Sequence, residues 1–192
     1  MANVNRPSGL TPVRTLDGSP WNAQVQQYTT ATNSGAIYPG DLVMLNSDRA
    51  VVLYASGFYA LGVMVGRMDD ITRDSLKYVP ANTGAKIGVC VGANVLYSVQ
   101  QTNATTVTAV GNNSLGLLTD LTLTTGDATR GISQVTLPSS TAFLGATGTT
   151  ALVRIWQVDP TPDNTATDVG ARVLVTINES VIRSTVGPAT AV

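Results

Sequence analysis

The chain has 192 residues, a formal net charge of -1 and only 12% charged residues. That length suits one domain with its own core, and the lack of a basic excess argues against a protein that binds nucleic acid. Thr occurs 27 times and Val 24 times, whereas Glu occurs once and Lys twice. β-Branched residues favour strands, and exposed helix faces are normally rich in Glu and Lys. The composition therefore predicts an all-β protein and excludes a helical bundle.

The residue types that the chain lacks restrict the catalytic and metal-binding functions it can have. Histidine is absent, and Cys90 is the single cysteine. The chain thus lacks the commonest general base and metal ligand, and it cannot form an internal disulfide or a Cys-rich zinc site. We therefore predict no catalytic residues, no cofactor and no bound metal. A small enzyme of unusual type, built on Asp, Tyr, Ser or Lys, is the alternative.

Residues 1–24 are predicted to form an extended N-terminal arm. They contain three prolines and two glycines, and their apolar residues follow no sustained period. Because proline disfavours helices and central strands, we expect this segment to be either disordered or laid on another surface. Trp21 stands at its end, where it either caps the domain's own core or anchors the arm to a partner.

Short strand signals follow one another through residues 25–183, which we interpret as one domain. Turn residues separate them at a spacing of roughly 8–12 residues, which is typical of a β-barrel or a β-sandwich. In chain order, the predicted strands are Val25–Thr30, Ile37–Leu45 (interrupted at Pro39-Gly40), Val51–Ala55, Phe58–Val65, Leu76–Val79, Lys86–Val91, Val95–Gln100, Thr105–Val110, Leu117–Thr124, Ile132–Leu137, Ala151–Val158 and Arg172–Ile177. Ser139–Leu144 is the one predicted helical turn, and residues 184–192 are predicted to form a flexible tail.

Three local features have a functional and a structural interpretation. Oxygen ligands gather between Asp159 and Asp168 as in calcium sites, but the spacing does not match an EF-hand, so we favour a solvated loop. Cys90 lies in an apolar strand, which favours a buried thiol over a reactive one. The uncharged run Ala50–Gly66 is 17 residues long and contains turn residues, so we interpret it as two strands rather than a membrane span.

Several segments of the chain together form a pattern that is similar to one protein family. They are Asn5–Pro7, Gly9-Leu10, Pro12–Arg14, Leu16–Asn22, Ile37–Val43, Leu61–Gly66, Arg154–Trp156, Pro162–Asn164 and Val173–Asn178. Together they resemble the capsid cement (head decoration) proteins of tailed bacteriophages. The segments between Asn5 and Asn22 resemble the family's N-terminal arm, and Ile37–Val43 resembles its first barrel strand.

The resemblance implies a protein of the virion, made in the host cytoplasm and placed on the outer surface of an icosahedral capsid. It would bridge major capsid proteins, commonly as a homotrimer, with no nucleic acid or membrane as partner. Many copies that each bury a modest area would stabilise the shell through multivalency. We predict that the arm contacts the capsid or a neighbouring subunit through Arg6, Pro7, Leu10, Arg14 and Trp21.

A second interpretation is a tail or fibre β-module that binds host glycans. It requires an exposed aromatic platform, for which Trp156 is the candidate.

Overall fold

The computed structural model describes residues 3–69, 76–102, 109–143 and 151–182. Ten strands are present in these ranges, and the only helices are three single 3-10 turns. The strands are β1 (Thr11–Thr15), β2 (Val25–Thr29), β3 (Leu42–Leu45), β4 (Val51–Leu53), β5 (Gly62–Arg67), β6 (Lys86–Cys90), β7 (Val95–Gln100), β8 (Leu118–Thr119), β9 (Val153–Val158) and β10 (Arg172–Ile177). The chain is therefore all-β, as predicted. No helix in the described ranges is long and apolar enough to cross a membrane.

The strands form two antiparallel sheets of five strands each. The first sheet has the order β1-β7-β10-β9-β8, and the second has the order β2-β6-β5-β3-β4. The second sheet curls round so that its first strand, β2, approaches its last strand, β4. Thr30, which directly follows β2, bridges Val51 of β4, and the Ala31 N–H donates to the Val51 carbonyl at 2.8 Å. This sheet consequently encloses a small apolar core of its own. That core comprises Ile37, Val43, Val51, Leu61, Met64, Val79, Ala85, Ile87, Val89 and Val91.

A larger core lies against the inner face of the first sheet. Alternate residues of each strand supply it, because successive side chains of a strand point to opposite faces. The inward positions include Val95, Tyr97 and Val99 of β7 and Val173, Val175 and Ile177 of β10. Tyr97 is fully buried, and its hydroxyl donates to the Cys90 carbonyl at 3.1 Å, so the one polar atom of this large side chain has a partner.

The segment predicted as an arm is extended, but it lies on its own domain. Residues 11–15 form β1, an edge strand that pairs with β7, and Leu10 is completely buried in the larger core. Pro12 is compatible with this position because an edge strand needs a ladder hydrogen bond on one side only. The structure thus describes a docked strand where the sequence suggested either disorder or an external contact.

The interior strands agree with the sequence patterns, and the differences are local. Arg172–Ile177 and Val95–Gln100 have the predicted bounds, and the helical turn appears at Ser140–Ala142. Two predicted strands, Leu76–Val79 and Ile132–Leu137, contribute only isolated bridges such as Ile37 to Val79. Most of Thr105–Val110 and the whole tail at residues 184–192 lie outside the described residues. The two unpredicted 3-10 turns, Trp21–Gln24 and Asn112–Ser114, are too short to carry a periodic signal.

Candidate interaction surface

The start of the described chain is held by side-chain amides. The Asn3 side chain is buried; its Nδ2 donates to the carbonyls of Thr165, Asp168 and Val169 at 2.9–3.2 Å, and its Oδ1 accepts from the Thr165 N–H at 2.8 Å. A second amide, that of Gln100 at the end of β7, continues the attachment. Its Oε1 accepts from the Arg6 N–H at 2.9 Å, and its Nε2 donates to the Val4 carbonyl at 2.7 Å. Residues 3–6 are therefore bonded to the domain before β1 begins.

The five predicted contact residues have different environments. Arg6 and Arg14 are exposed, Pro7 is half-buried and Leu10 is buried. Trp21 is half-buried and packs against the larger core, so the structure favours the interpretation in which it caps its own domain. Leu10 offers no surface to a partner because its side chain is inside the core. Of the five, the two arginines have the most exposed side chains.

Arg14 belongs to the outer face of the first sheet, which we call the outer face. This face is defined by Arg14, Leu16, Leu96, Ser98, Leu174, Thr176, Arg154, Trp156 and Gln157. Arg14 Nη2 donates to Gln157 Oε1 at 3.3 Å, so the two side chains meet across the intervening strands β7 and β10. Leu96 and Leu174 on those two strands are 3% and 2% exposed. The outermost layer of the face is consequently polar and aromatic, over a buried aliphatic layer.

Trp156 is the largest exposed apolar side chain of the outer face. It is 44% exposed, and its Nε1 donates to Thr176 Oγ1 at 2.8 Å. The register of β9 and β10 shifts between Leu174, which pairs with Gln157, and Val175, which pairs with Ile155. Trp156 is therefore the extra residue of a β-bulge in β9. The indole is thus fixed through its N–H while much of its ring remains accessible. Leu16, which directly follows β1, is 39% exposed and adds a second exposed apolar side chain to the same face.

Arginine side chains are the positively charged groups at this face, and some of them have partners. Arg172 Nη2 pairs with Asp163 Oδ1 at 2.6 Å, and Arg154 Nη1 donates to the Gly116 carbonyl at 3.3 Å. Asp159 accepts from Ser98 Oγ at 2.7 Å. With Arg14 added, the surface offers cations and an aromatic ring, which are residue types enriched where proteins contact proteins.

The acidic loop has a structural role in this arrangement. Asn164 Nδ2 donates to the Asp159 and Arg172 carbonyls at 2.7 and 2.8 Å, and its Oδ1 accepts from the Arg172 N–H at 2.7 Å. These oxygens and amides therefore organise the loop itself. Across the ranges that the structure describes, no three acidic or thiol side chains cluster as a metal site would need.

Three segments named in the sequence analysis, Gly9-Leu10, Ile37–Val43 and Leu61–Gly66, meet at Gly40. The Leu10 N–H donates to the Gly40 carbonyl at 2.9 Å, and the Gly40 N–H donates to the Met64 carbonyl at 2.8 Å. The approach is close: a Cβ on Gly9 would lie 2.4 Å from the Gly40 carbonyl oxygen and 2.5 Å from Ser133 Cβ. These segments are therefore a packing unit, which explains why glycine occupies the crossing positions.

Asp41 is a buried acid at the same crossing. It is 3% exposed, and its Oδ2 accepts from the Tyr38 N–H at 2.8 Å across the Pro39-Gly40 turn. Burial raises the pKa of the Asp41 carboxyl from 3.8 to about 6, against the lowering effect of hydrogen bonds from Ser133 and Tyr38. Burial also raises the pKa of the Cys90 thiol, which lies inside the larger core. The Cys90 thiol is enclosed, so it lacks the access that a reacting thiol needs.

Sequence patterns identified some of these residues and missed others. Trp156 and Arg14 were named from the sequence as candidate contact residues, and the structure places both on the outer face. Nothing in the sequence marks Asn3 or Gln100 as attachments, because their partners lie far away along the chain. No protein-family model and no curated protein matches this chain.

Proposed function

We propose that the chain is a capsid cement protein of a tailed bacteriophage, which decorates the outer surface of the shell and bridges major capsid proteins, as a homotrimer. The observation that carries this proposal is the outer face: the segment that resembles the family's N-terminal arm supplies Arg14 and Leu16 to it, beside the exposed Trp156. In this proposal the protein clamps by surface contact and performs no catalysis.

The docked arm changes how such a clamp would work. A free arm would lose conformational entropy on binding the shell. A strand already paired with β7 and held through Asn3 and Gln100 is ordered beforehand. Binding by a preorganised surface avoids much of that entropy cost. The protein should therefore dock as a rigid body, with Arg14, Leu16 and Trp156 in place.

The copy number in purified particles tests this proposal. Mass spectrometry would quantify this chain against the major capsid protein. A ratio near one to one, or hundreds of copies per particle, is the expected result. A handful of copies would move the protein to the tail, and absence from particles would overturn the proposal.

Binding to undecorated shells tests the surface itself. Trp156→Ala should weaken co-sedimentation with shells, whereas Phe58→Ala is the matched control because Phe58 is similarly exposed, at 41%, on a different part of the chain. Equal loss in both variants, or in neither, would show that the outer face is not the contact.

A tail or fibre module that binds host glycans is the second candidate, and Trp156 favours it specifically. An exposed indole held by a hydrogen bond to Thr176 is a rigid apolar platform of the kind on which a sugar ring can lie. Glycan-array binding that is lost in Trp156→Ala and kept in Trp156→Phe would support this candidate. No binding by the unmodified protein would eliminate it.

A further inference from the structure

A cleft lies between the second sheet and the chain segment at residues 121–136. It has a volume of about 320 Å³, and its two sides are formed by Leu53-Tyr54 at the end of β4 and by Leu123–Gly126. Leu42 and Val135 add to a lining that is mostly apolar. We call it the β4 cleft. Clefts of this size, with an apolar lining and a few polar groups, are the usual form of binding sites in proteins.

Asp41 supplies the carboxyl group among the described residues that line the β4 cleft. It is 3% exposed, and its Oδ2 accepts from the Tyr38 N–H at 2.8 Å, while Ser133 provides a second hydrogen bond. A carboxylate has about four acceptor positions on its two oxygens. The group therefore retains the capacity to bind one further donor.

Keeping a carboxyl group at this position lowers the stability of the fold at neutral pH. Burial raises the pKa of Asp41 from 3.8 to about 6, so an ionised Asp41 costs free energy of folding. An asparagine would still accept from the Tyr38 N–H without that cost. A buried acid with a raised pKa beside a cleft is typical of a functional site, because a ligand of opposite charge favours the ionised form.

The surroundings of the β4 cleft are negatively charged. Asp127 directly follows the segment that forms its second side. Burial raises the pKa of Tyr54 in the first side to about 12, and the nearby charges of Glu179 and Asp120 act in the same direction. Among the described residues, no lysine or arginine lines the cleft. A concave surface bordered by charges of one sign attracts a ligand of the other sign, which here is a cation.

A lysine side chain fits these features better than an arginine side chain does. Its four-carbon stem can lie along an apolar lining, and its ammonium group is a compact charge with three donors. Arginine binds a carboxylate best through two parallel hydrogen bonds, one to each oxygen. Because the Tyr38 N–H already occupies Oδ2 of Asp41, a compact donor suits the remaining acceptor positions better than a planar fork.

We propose that the β4 cleft receives a lysine side chain of a partner protein, with the stem between Leu53 and Leu123 and the ammonium group paired with Asp41. The inference rests on the proposed function, in which the partner is the major capsid protein. It adds a second contact to that of the outer face, because the two sets of residues do not overlap. The outer face offers cations and an indole, whereas the cleft offers an acid, so the two contacts select different groups on the partner.

Asp41→Asn and its matched control, Asp48→Asn, test the inference on undecorated shells. Both substitutions remove one negative charge and keep the shape of the side chain, and Asp48 is exposed in the turn between β3 and β4. We expect Asp41→Asn to bind about tenfold more weakly than the unmodified protein and Asp48→Asn to bind equally well. Equal binding of all three proteins would overturn the inference and leave the proposed function intact.

Chemical acetylation of the shells tests whether lysine is the group that binds. Acetylation removes the positive charge of a lysine side chain. The unmodified protein and Asp41→Asn should therefore bind acetylated shells with equal affinity. A difference between the two proteins that persists on acetylated shells would contradict lysine as the occupant of the cleft.

If the unmodified protein does not bind shells, the proposed function fails, and a small amine decides the inference alone. The probes are hexylamine, which is protonated at neutral pH, and 1-hexanol, which has the same stem and no charge. NMR shifts at the backbone amides of Leu53 and Thr125 report binding. Hexylamine should bind the unmodified protein about tenfold more tightly than it binds Asp41→Asn, whereas hexanol should bind both proteins alike. Equal affinity of hexylamine for both proteins, or no shift at these amides, would overturn the inference.

The apolar lining provides a second pair of variants, for the case in which circular dichroism shows that Asp41→Asn does not fold. Leu123→Ala removes part of the lining, and Leu115→Ala is the matched control because the two side chains are 42% and 43% exposed. Leu123→Ala should weaken the binding of hexylamine by about threefold or more, and Leu115→Ala should leave it unchanged. Equal effects of the two substitutions would contradict the assignment of the cleft.

Discussion

Asp41 should make the protein less stable as the pH rises from 4 to 6. Its carboxyl is 3% exposed at the crossing of the N-terminal segment with the Pro39-Gly40 turn, and burial raises its pKa from 3.8 to about 6. Because the folded state holds this proton more tightly than the unfolded state does, folding is favoured while the group is protonated. That advantage is complete below pH 4, falls between pH 4 and 6, and is lost above pH 6.

The magnitude follows from the two pKa values. A tenfold difference in proton affinity corresponds to about 1.4 kcal/mol, so a pKa that moves from 3.8 to about 6 corresponds to about 3 kcal/mol. That is a substantial part of the 5–15 kcal/mol that typically separates the folded and unfolded states of a domain. The Asp41→Asn variant keeps an oxygen for the Tyr38 N–H and carries no charge at any pH. Its stability relative to the unmodified protein should therefore rise by about 2.4 kcal/mol between pH 4 and pH 7, since the rest of the 3 kcal/mol is expressed below pH 4.

Urea unfolding of both proteins at intervals from pH 4 to pH 8 measures this difference. Comparison of the two proteins at each pH cancels the contribution of all other titrating groups. NMR titration of the Asp41 side-chain carboxyl provides an independent reading of its pKa. A difference in stability that stays constant across this range, or one that narrows as the pH rises, would refute the reasoning.

Three further predictions concern other parts of the fold. Gly9→Ala should lower the free energy of unfolding by about 2–4 kcal/mol, because Gly9 has a left-handed backbone and an added Cβ would lie 2.4 Å from the Gly40 oxygen. Gly18→Ala is the control, since Gly18 also has a positive φ but open space around it, and it should lower the free energy of unfolding by about 1–2 kcal/mol. Equal losses in urea unfolding would contradict this account. Asn3→Ala removes four hydrogen bonds and should make residues 3–9 sensitive to limited proteolysis with a small change in Tm; a protected N-terminus would count against the attachment described above. Cys90 is buried and its pKa is raised, so thiol reagents should label it only at the rate of unfolding, and rapid labelling of the folded protein would disagree with its position in the core.

Local sequence patterns predicted much of the fold because they reflect local physics. In β7 and β10, apolar residues alternate or run continuously, and both strands have the predicted bounds. The interruption at Pro39-Gly40 is a turn, in which the Asp41 N–H donates to the Tyr38 carbonyl at 2.9 Å and Gly40 has a φ of +94°. Proline and glycine act on the backbone regardless of distant contacts, so such features are readable from the sequence.

The same local physics explains where the patterns failed. β1 was missed because Pro12 and the bulge beside it interrupt its alternation, and because an edge strand needs only one partner. Leu76–Val79 and Ile132–Leu137 have strand-like composition but find only isolated partners, since a strand requires a neighbour along its length. Strand propensity expresses a fit to a half-buried surface, and the sequence does not say which surface is present.

For this protein, the sequence by itself determined the fold class, the interior strands, the turns and the absence of histidine chemistry, because composition and short-range periodicity express those directly. Tertiary structure alone decided the order of strands in the sheets, the docking of residues 3–15 onto their own domain and the burial of Asp41 and Leu10. It also decided that Trp156 is held by Thr176. These features depend on contacts between residues that are distant along the chain, and they arise only when the whole chain has packed.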